Sequence, residues 1–236
     1  MKKLESALHQ LGIVYDKNMI DKYRAYMDGI LKWNNMVNIT AITEKNAFIE
    51  KHYIDSLLCF SYPQFKKAQS VIDVGTGGGF PGIPLAIAAP DKKFVLMDSL
   101  NKRIRIIKEL CDEIGINNVE AIHGRAEEIA KNKIYRQNFD LCVSRAVANL
   151  SVLSEYCIPF LKKGGWFLAY KGPEVEKEIE ESKKAVHILG GKIQKTEQVA
   201  VKNFDFDHKL IFIEKINDTP TKFPRKAGTP SKEPLK

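Results

Sequence analysis

Nothing in the 236-residue chain approaches the apolar length needed to cross a bilayer. The opening stretch, MKKLESALHQLGIVYD, has no unbroken apolar core, because Glu5, His9 and Gln10 interrupt it. Neither a membrane span nor a secretory leader is expected, and the cytoplasm is the expected compartment. Cysteine is sparse: Cys59, Cys111, Cys142 and Cys157 are widely spaced, sit in apolar contexts such as LCF, LCV and YCI, and form no CxxC pair. They read as reduced core thiols, without a disulfide framework or a metal site. Internal repeats and low-complexity tracts are absent, which excludes repeat architectures and long linkers.

Acidic residues are outnumbered, 29 against 37 Lys and Arg, giving +8 and a pI near 9.1. The balance favours an anionic partner such as nucleic acid. Its distribution is uneven: Lys222, Arg225, Lys226, Lys232 and Lys236 face only Glu233 in the last fifteen residues, a net +4 and half of the excess. With 44% apolar residues, the chain can bury one full α/β core with a small helical addition.

Periodicity divides the sequence. From Met19 to Met36 the apolar residues Ile20, Tyr23, Met27, Ile30, Leu31 and Trp33 recur at roughly helical spacing, and NAFIEKHYIDSLLCF has the pattern of a second amphipathic helix. Residues 1–62 are therefore expected to form a helical extension. After SYP, short apolar runs alternate with amphipathic stretches: VIDVG, FVLMD, VEAIHG, FDLCVSR and GGWFLAYKG. Each is reached across a crossover, which predicts a mostly parallel sheet covered on both faces over residues 63–217. KIQKTEQVAV and HKLIFIEKI would close one edge as an antiparallel pair. Residues 218–236 form a basic, Pro-rich tail expected to pack as an extended strap on the body or on RNA, with a merely solubilising end as the alternative. One compact unit and a monomer are expected.

In such an α/β sheet, ligands bind beyond the carboxyl ends of the strands. Those positions hold Gly75 to Gly82, Asp98, Arg125 to Glu128, Arg145 and Lys171. GGGFPG satisfies the dinucleotide pattern G-x-G-x-x-G at Gly77, Gly79 and Gly82. Two features oppose a pyrophosphate there: Asp73 puts an acid at the strand end, and Pro81 and Pro84 remove N–H donors from the first helical turn. S-adenosylmethionine fits both, since it carries an ammonium and a sulfonium and no phosphate. Asp98, 23 residues after Gly75, can accept from two ribose hydroxyls.

Ala126 and Glu127 could sit beside an adenine, or could simply begin a helix whose dipole favours acids. Arg145 and Lys171 end the fourth and fifth strands, where substrates meet cofactors in such sheets and where solvated cations are also common. Several chemistries lack their residues. Methyl transfer to a pyrimidine carbon needs a cysteine nucleophile near the site, and no Pro-Cys or Thr-Cys pair exists. Transfer to an exocyclic amine usually relies on a polar-Pro-Pro-aromatic turn after strand four, where this sequence has SRAV. A guanine N7 has an in-plane lone pair and no proton to remove, so positioning can supply most of the acceleration. Other acceptors stay open on these absences.

HYIDSL (52–57), DVGTGGGFPGIPLAI (73–87), MDSLNKR (97–103), HGRAEE (123–128), SRAVANL (144–150) and FPRKAGTPSKEPL (223–235) together resemble the bacterial RsmG family, also called glucose-inhibited division protein B. The resemblance covers essentially the whole chain. It implies a class I S-adenosylmethionine-dependent methyltransferase, Rossmann-like, that modifies N7 of one guanine in the 16S rRNA of the small ribosomal subunit. By motif position it implies Gly75, Phe80, Ala126, Glu127 and Arg145 as cofactor residues, with Asp98 at the ribose and Gly77 in the loop. It further implies that His52, Lys171, Arg225, Lys226 and Lys232 face RNA, and that Arg145 serves cofactor and substrate alike. A nicotinamide oxidoreductase on the same sheet and a non-catalytic assembly factor are the competing readings.

Overall fold

The sheet has seven strands in the order β3-β2-β1-β4-β5-β7-β6: β1 (Ser70–Val74), β2 (Lys93–Asp98), β3 (Val119–His123), β4 (Phe139–Arg145), β5 (Leu161–Lys171), β6 (Gly191–Gln198) and β7 (Lys209–Lys215). This computed structural model describes residues 1–145, 148–206 and 208–235. Ala146 and Val147 of the SRAVANL motif and Lys236 of the tail lie outside the described residues. β1 to β5 run parallel, and β7 is antiparallel to both β5 and β6, as the hydropathy pattern predicts. The central strands β1 and β4 are buried along most of their length because helices cover both of their faces. The outermost strand, GKIQKTEQ, is largely exposed and polar, which suits an unpaired edge.

Two helices, α1 (Lys2–Gln10) and α2 (Lys17–Asn34), lie on the face also covered by the helices Gly82–Ala88 and Asn101–Ile114. The Asp16 side chain caps α2 by accepting from the Met19 N–H. Three fully buried tyrosines anchor this extension: Tyr23 donates to the Pro84 carbonyl at 2.6 Å and Tyr26 to Gly78 at 2.9 Å, both beyond β1, while Tyr53 donates to Tyr23 at 2.7 Å within the extension. Their hydroxyls are satisfied, so the rings are buried without a polar penalty. The expected second helix is present but irregular: Lys45–Phe48 passes into a π-helical segment, Ile49–Ile54, then through Asp55–Leu57 into a 3₁₀ turn. Such wide turns are frequent at functional sites, and this one carries His52 and ends beside Asp55.

The tail is docked. Arg136 donates to the carbonyls of Phe223 and Thr219 at 2.9 and 2.8 Å, and the Phe223 ring is buried in the second core cluster. Arg225 meets the fully buried Glu155 through its backbone N–H (2.7 Å), Nε (3.0 Å to each oxygen) and Nη2 (2.6 Å). This corrects the expectation that Arg225 faces RNA: its guanidinium is spent on an internal carboxylate that would otherwise be a buried, unpaired charge. Lys226 and Lys232 are exposed, in keeping with a basic outer face.

Glu155→Ala should lower unfolding stability by about 3 kcal/mol, the usual order for breaking a buried ion pair, whereas Lys226→Ala should stay within about 0.5 kcal/mol of wild type. Urea denaturation compares them. Equal midpoints for the two variants would show that the Arg225 ion pair contributes nothing.

Candidate functional site

The loop after β1 is shaped by buried carboxylates. Asp73, fully buried, accepts from Thr76 Oγ1 at 2.7 Å and from the Gly82 N–H at 2.8 Å, both on Oδ2. Its Oδ1 is buried and has no hydrogen-bond partner among the described residues. Burial, partly offset by the Thr76 and Gly82 donors, pushes the Asp73 pKa up to about 7. Asp98 at the end of β2 accepts from the Gly77 N–H at 3.0 Å and the Leu100 N–H at 2.8 Å, with Arg103 3.4 Å away. A carboxylate has about four acceptor positions, so Asp98 retains capacity for a ligand hydroxyl.

Not every glycine in the loop is cleared for a ligand. A side chain at Gly79 would collide with the Tyr26 hydroxyl, one at Gly78 would lie 2.8 Å from Ile39, and one at Gly82 2.7 Å from Leu96. Gly77 differs: a Cβ there would meet open space, although its φ of 60°, like the 75° of Gly75 and the 90° of Gly79, favours glycine. At the start of the helix Gly82–Ala88, the Gly82 N–H is taken by Asp73, the Ile83 N–H by Gly79, and Pro84 has none. This helix end offers no free donors to a pyrophosphate, as the two prolines lead one to expect.

Gly75, Asp98, Ala126 and Glu127 line a single cleft at the carboxyl ends of β1, β2 and β3. Tyr156, from the helix Leu150–Cys157, lines it too and was not identified from sequence; nothing local marks it as facing a cleft. Glu127, 3% exposed, accepts the Gly228 N–H at 2.8 Å, so the tail helps to fix its carboxylate. Gly228 reaches it with φ 82°, a conformation that favours glycine.

Phe80 and Arg145 lie to one side of this cleft. Phe80 stacks on His52, 4.3 Å between centroids with planes 5° apart, and the Arg145 guanidinium sits 5.7 Å over the Phe80 ring. Arg145 donates to Asp55 Oδ2 at 2.5 Å and to the Lys51 carbonyl at 2.7 Å, and its Nη2 lies 3.0 Å from His52 Nδ1. Burial and then the Arg145 charge push His52 down to about 3, so the ring is neutral at physiological pH. His52, expected to face RNA, lines a cavity with Arg145 and brings no positive charge to it. Lys171 is likewise engaged, donating to the Ala148 carbonyl at 2.8 Å and pairing with Glu178 at 2.5 Å. It braces the segment after β4 and is no free RNA contact.

No helix among the described residues is long and apolar enough to cross a membrane, and no group of three or more His, Cys, Asp or Glu among them is placed to hold a metal ion. The four cysteines are buried and free.

The profile of GidB, rRNA small subunit methyltransferase G, matches residues 19–207. The chain belongs to the GidB family. Ribosomal RNA small subunit methyltransferase G of Clostridium tetani is 48% identical, covering 99% of this chain and 98% of that protein; its counterpart in Clostridium novyi is 49% identical over 98% and 96%. Among solved structures, a methyltransferase from Geobacter sulfurreducens aligns with TM-score 0.55 at 17% identity, covering 86% of this chain and 93% of that one. M. jannaschii TYW2 in complex with AdoMet aligns with TM-score 0.54 at 19% identity, covering 75% and 80%. The sheet of this GidB-family chain is that of the class I S-adenosylmethionine-dependent methyltransferases.

The raised Asp73 pKa fixes a pH dependence. A carboxyl whose pKa rises from 3.8 to about 7 on folding binds more protons in the folded state, so stability is lost as pH increases across that window. Wild type should therefore lose unfolding free energy between about pH 4 and 7 relative to Asp73→Asn. Parallel urea-unfolding profiles for the two proteins across this range would refute the assignment.

Proposed function

We propose that this GidB-family chain transfers a methyl group from S-adenosylmethionine to N7 of one guanine in the 16S rRNA of the small ribosomal subunit. The observation that carries the cofactor part is the unpartnered Asp73 Oδ1, a buried carboxylate oxygen at the end of β1 that asks for a cationic or donor ligand. An ammonium answers it and a pyrophosphate does not. Asp98 would hold the ribose hydroxyls, Ala126 and Glu127 would flank the adenine, and Gly75 and Gly77 would leave room for the ligand against the loop. Phe80 and Arg145 would separate this cleft from the acceptor. Bound there, S-adenosylmethionine would supply an electrophilic methyl group on sulfur.

The acceptor part is supported by the family, by the names of the relatives and by the chemistry of the lip of β4. No paired general base is needed at a guanine N7, and the protein's task is to hold the base in line with the methyl group. The exposed cations of the tail, Lys226 and Lys232, would position RNA through phosphates without reading sequence, leaving target choice to rRNA shape and to extrusion of the base.

Labelled methyl from S-adenosylmethionine should appear in 16S RNA when wild type is given 30S subunits lacking the modification, and cleavage at the alkylated base should map it to one guanine. Gly75→Val should abolish cofactor binding by calorimetry; retained affinity would remove the ligand from this loop. Lys226→Ala with Lys232→Ala should reduce the slope of log K against log salt by about 1–2 units, at roughly 0.7–0.9 for each phosphate no longer neutralised. Arg225→Ala would serve as the internal comparison, and an unaltered slope in the double variant would leave the tail as a solvated end.

A further inference from the structure

Beside the cofactor cleft, at the carboxyl end of β4, lies a second cavity of about 370 Å³, within the range of roughly 300–1,000 Å³ usual for small-molecule sites. One wall is Arg145, which packs against Phe80 of the glycine loop, so the cavity is separated from that loop by a single ring. Ile42 and the buried Phe206 supply apolar surface on which a flat base can rest, and the exposed Asp205 stands at the edge.

The charges are arranged unusually for an RNA site. Asp55, 1% exposed, accepts from both Arg145 (2.5 Å) and His208 Nδ1 (2.6 Å). Burial pushes its pKa up, but the His208 and Arg145 donors outweigh this and hold it below its ordinary value. The Arg145 charge is thereby cancelled at close range, so the wall does not repel a ring that becomes cationic. Because a carboxylate can only accept, the His208 proton is on Nδ1, and in the neutral tautomer Nε2 presents a lone pair on the opposite edge of the ring. The segment before β7 therefore lines this cavity with the Asp205 carboxylate and with His208, whose Nε2 accepts while the ring is neutral.

Guanine is the purine whose Watson–Crick edge offers donors at both N1 and N2, whereas adenine has an acceptor at N1. Alkylation at N7 makes N1–H more acidic, so an acceptor facing it binds more strongly as the reaction proceeds. We infer that Asp205 and His208 read this donor edge of the acceptor guanine, Asp205 taking N2–H and His208 Nε2 taking N1–H. The inference rests on the function proposed above and adds to it the residues that select the base.

The test uses full-length protein and small subunits reconstituted with 16S RNA carrying guanine or inosine, which lacks the N2 amino group, at the mapped acceptor position. Asp205→Ala should lower kcat/KM on guanine at least tenfold, as expected when a donor enclosed in the complex loses its acceptor. Wild type should lose a similar factor on inosine, and Asp205→Ala should lose no more than twofold beyond its own deficit. His208→Ala should lose at least tenfold with S-adenosylmethionine affinity within twofold of wild type. Asp205→Ala within twofold of wild type on guanine, or an inosine penalty undiminished in that variant, would overturn the assignment of Asp205. A parallel fall in cofactor affinity in His208→Ala would move His208 from the base to the support of Arg145. Absence of label with wild type and guanine would instead overturn the proposed function itself.

Discussion

Asp73 holds the glycine loop through a single oxygen, out of contact with water, while Thr76 and the Gly82 N–H donate to it. That interaction fixes both ends of the turn from β1 into the helix Gly82–Ala88. The other boundaries follow from it: the Gly77 N–H is aimed at Asp98, the Gly78 carbonyl receives Tyr26, and Phe80 is presented to His52 and Arg145. The loop is thus rigid before any ligand arrives, and preorganisation of this kind lowers the ordering cost of binding. The remaining oxygen of Asp73 is unsatisfied, a local cost that fits a site built to receive a cation.

The strands were readable because buried parallel strands are unbroken apolar runs, and the acids that follow them, Asp73 and Asp98, are conspicuous for that reason. The glycines were only partly readable. Sequence cannot distinguish a glycine that faces open space, as Gly77 does, from one emptied for another part of the protein, as Gly79 is for Tyr26. The π-helical segment was not readable at all, since an amphipathic period is nearly the same whether or not one turn is widened. Yet it is this turn that brings His52 and Asp55 to Arg145. Charge on its own did not reveal that Lys171 and Arg225 have internal partners, Glu178 and Glu155, which look like any other acids in the sequence. The tail lysines Lys226 and Lys232 are exposed, as their charge leads one to expect.

Two cavities at the carboxyl ends of the strands differ in electrostatics. The cleft at the ends of β1, β2 and β3 is lined by the acids Asp98 and Glu127; the cavity at the end of β4 is balanced, with Arg145 set against Asp55. A cationic donor and a neutral base that becomes cationic need this division, because an unpaired arginine would oppose both.

The hydrogen bond from Gly228 to Glu127 spans 101 residues of sequence. During synthesis, at roughly 5–20 residues per second, Glu127 is made about 5–20 s before the group that orients it. A nascent chain can therefore fold its sheet and its glycine loop while the Glu127 end of the cleft is still unfinished. The segment that carries Gly228 acts as a latch on when the cleft is complete, so a chain stalled short of it would carry the fold without a finished cleft.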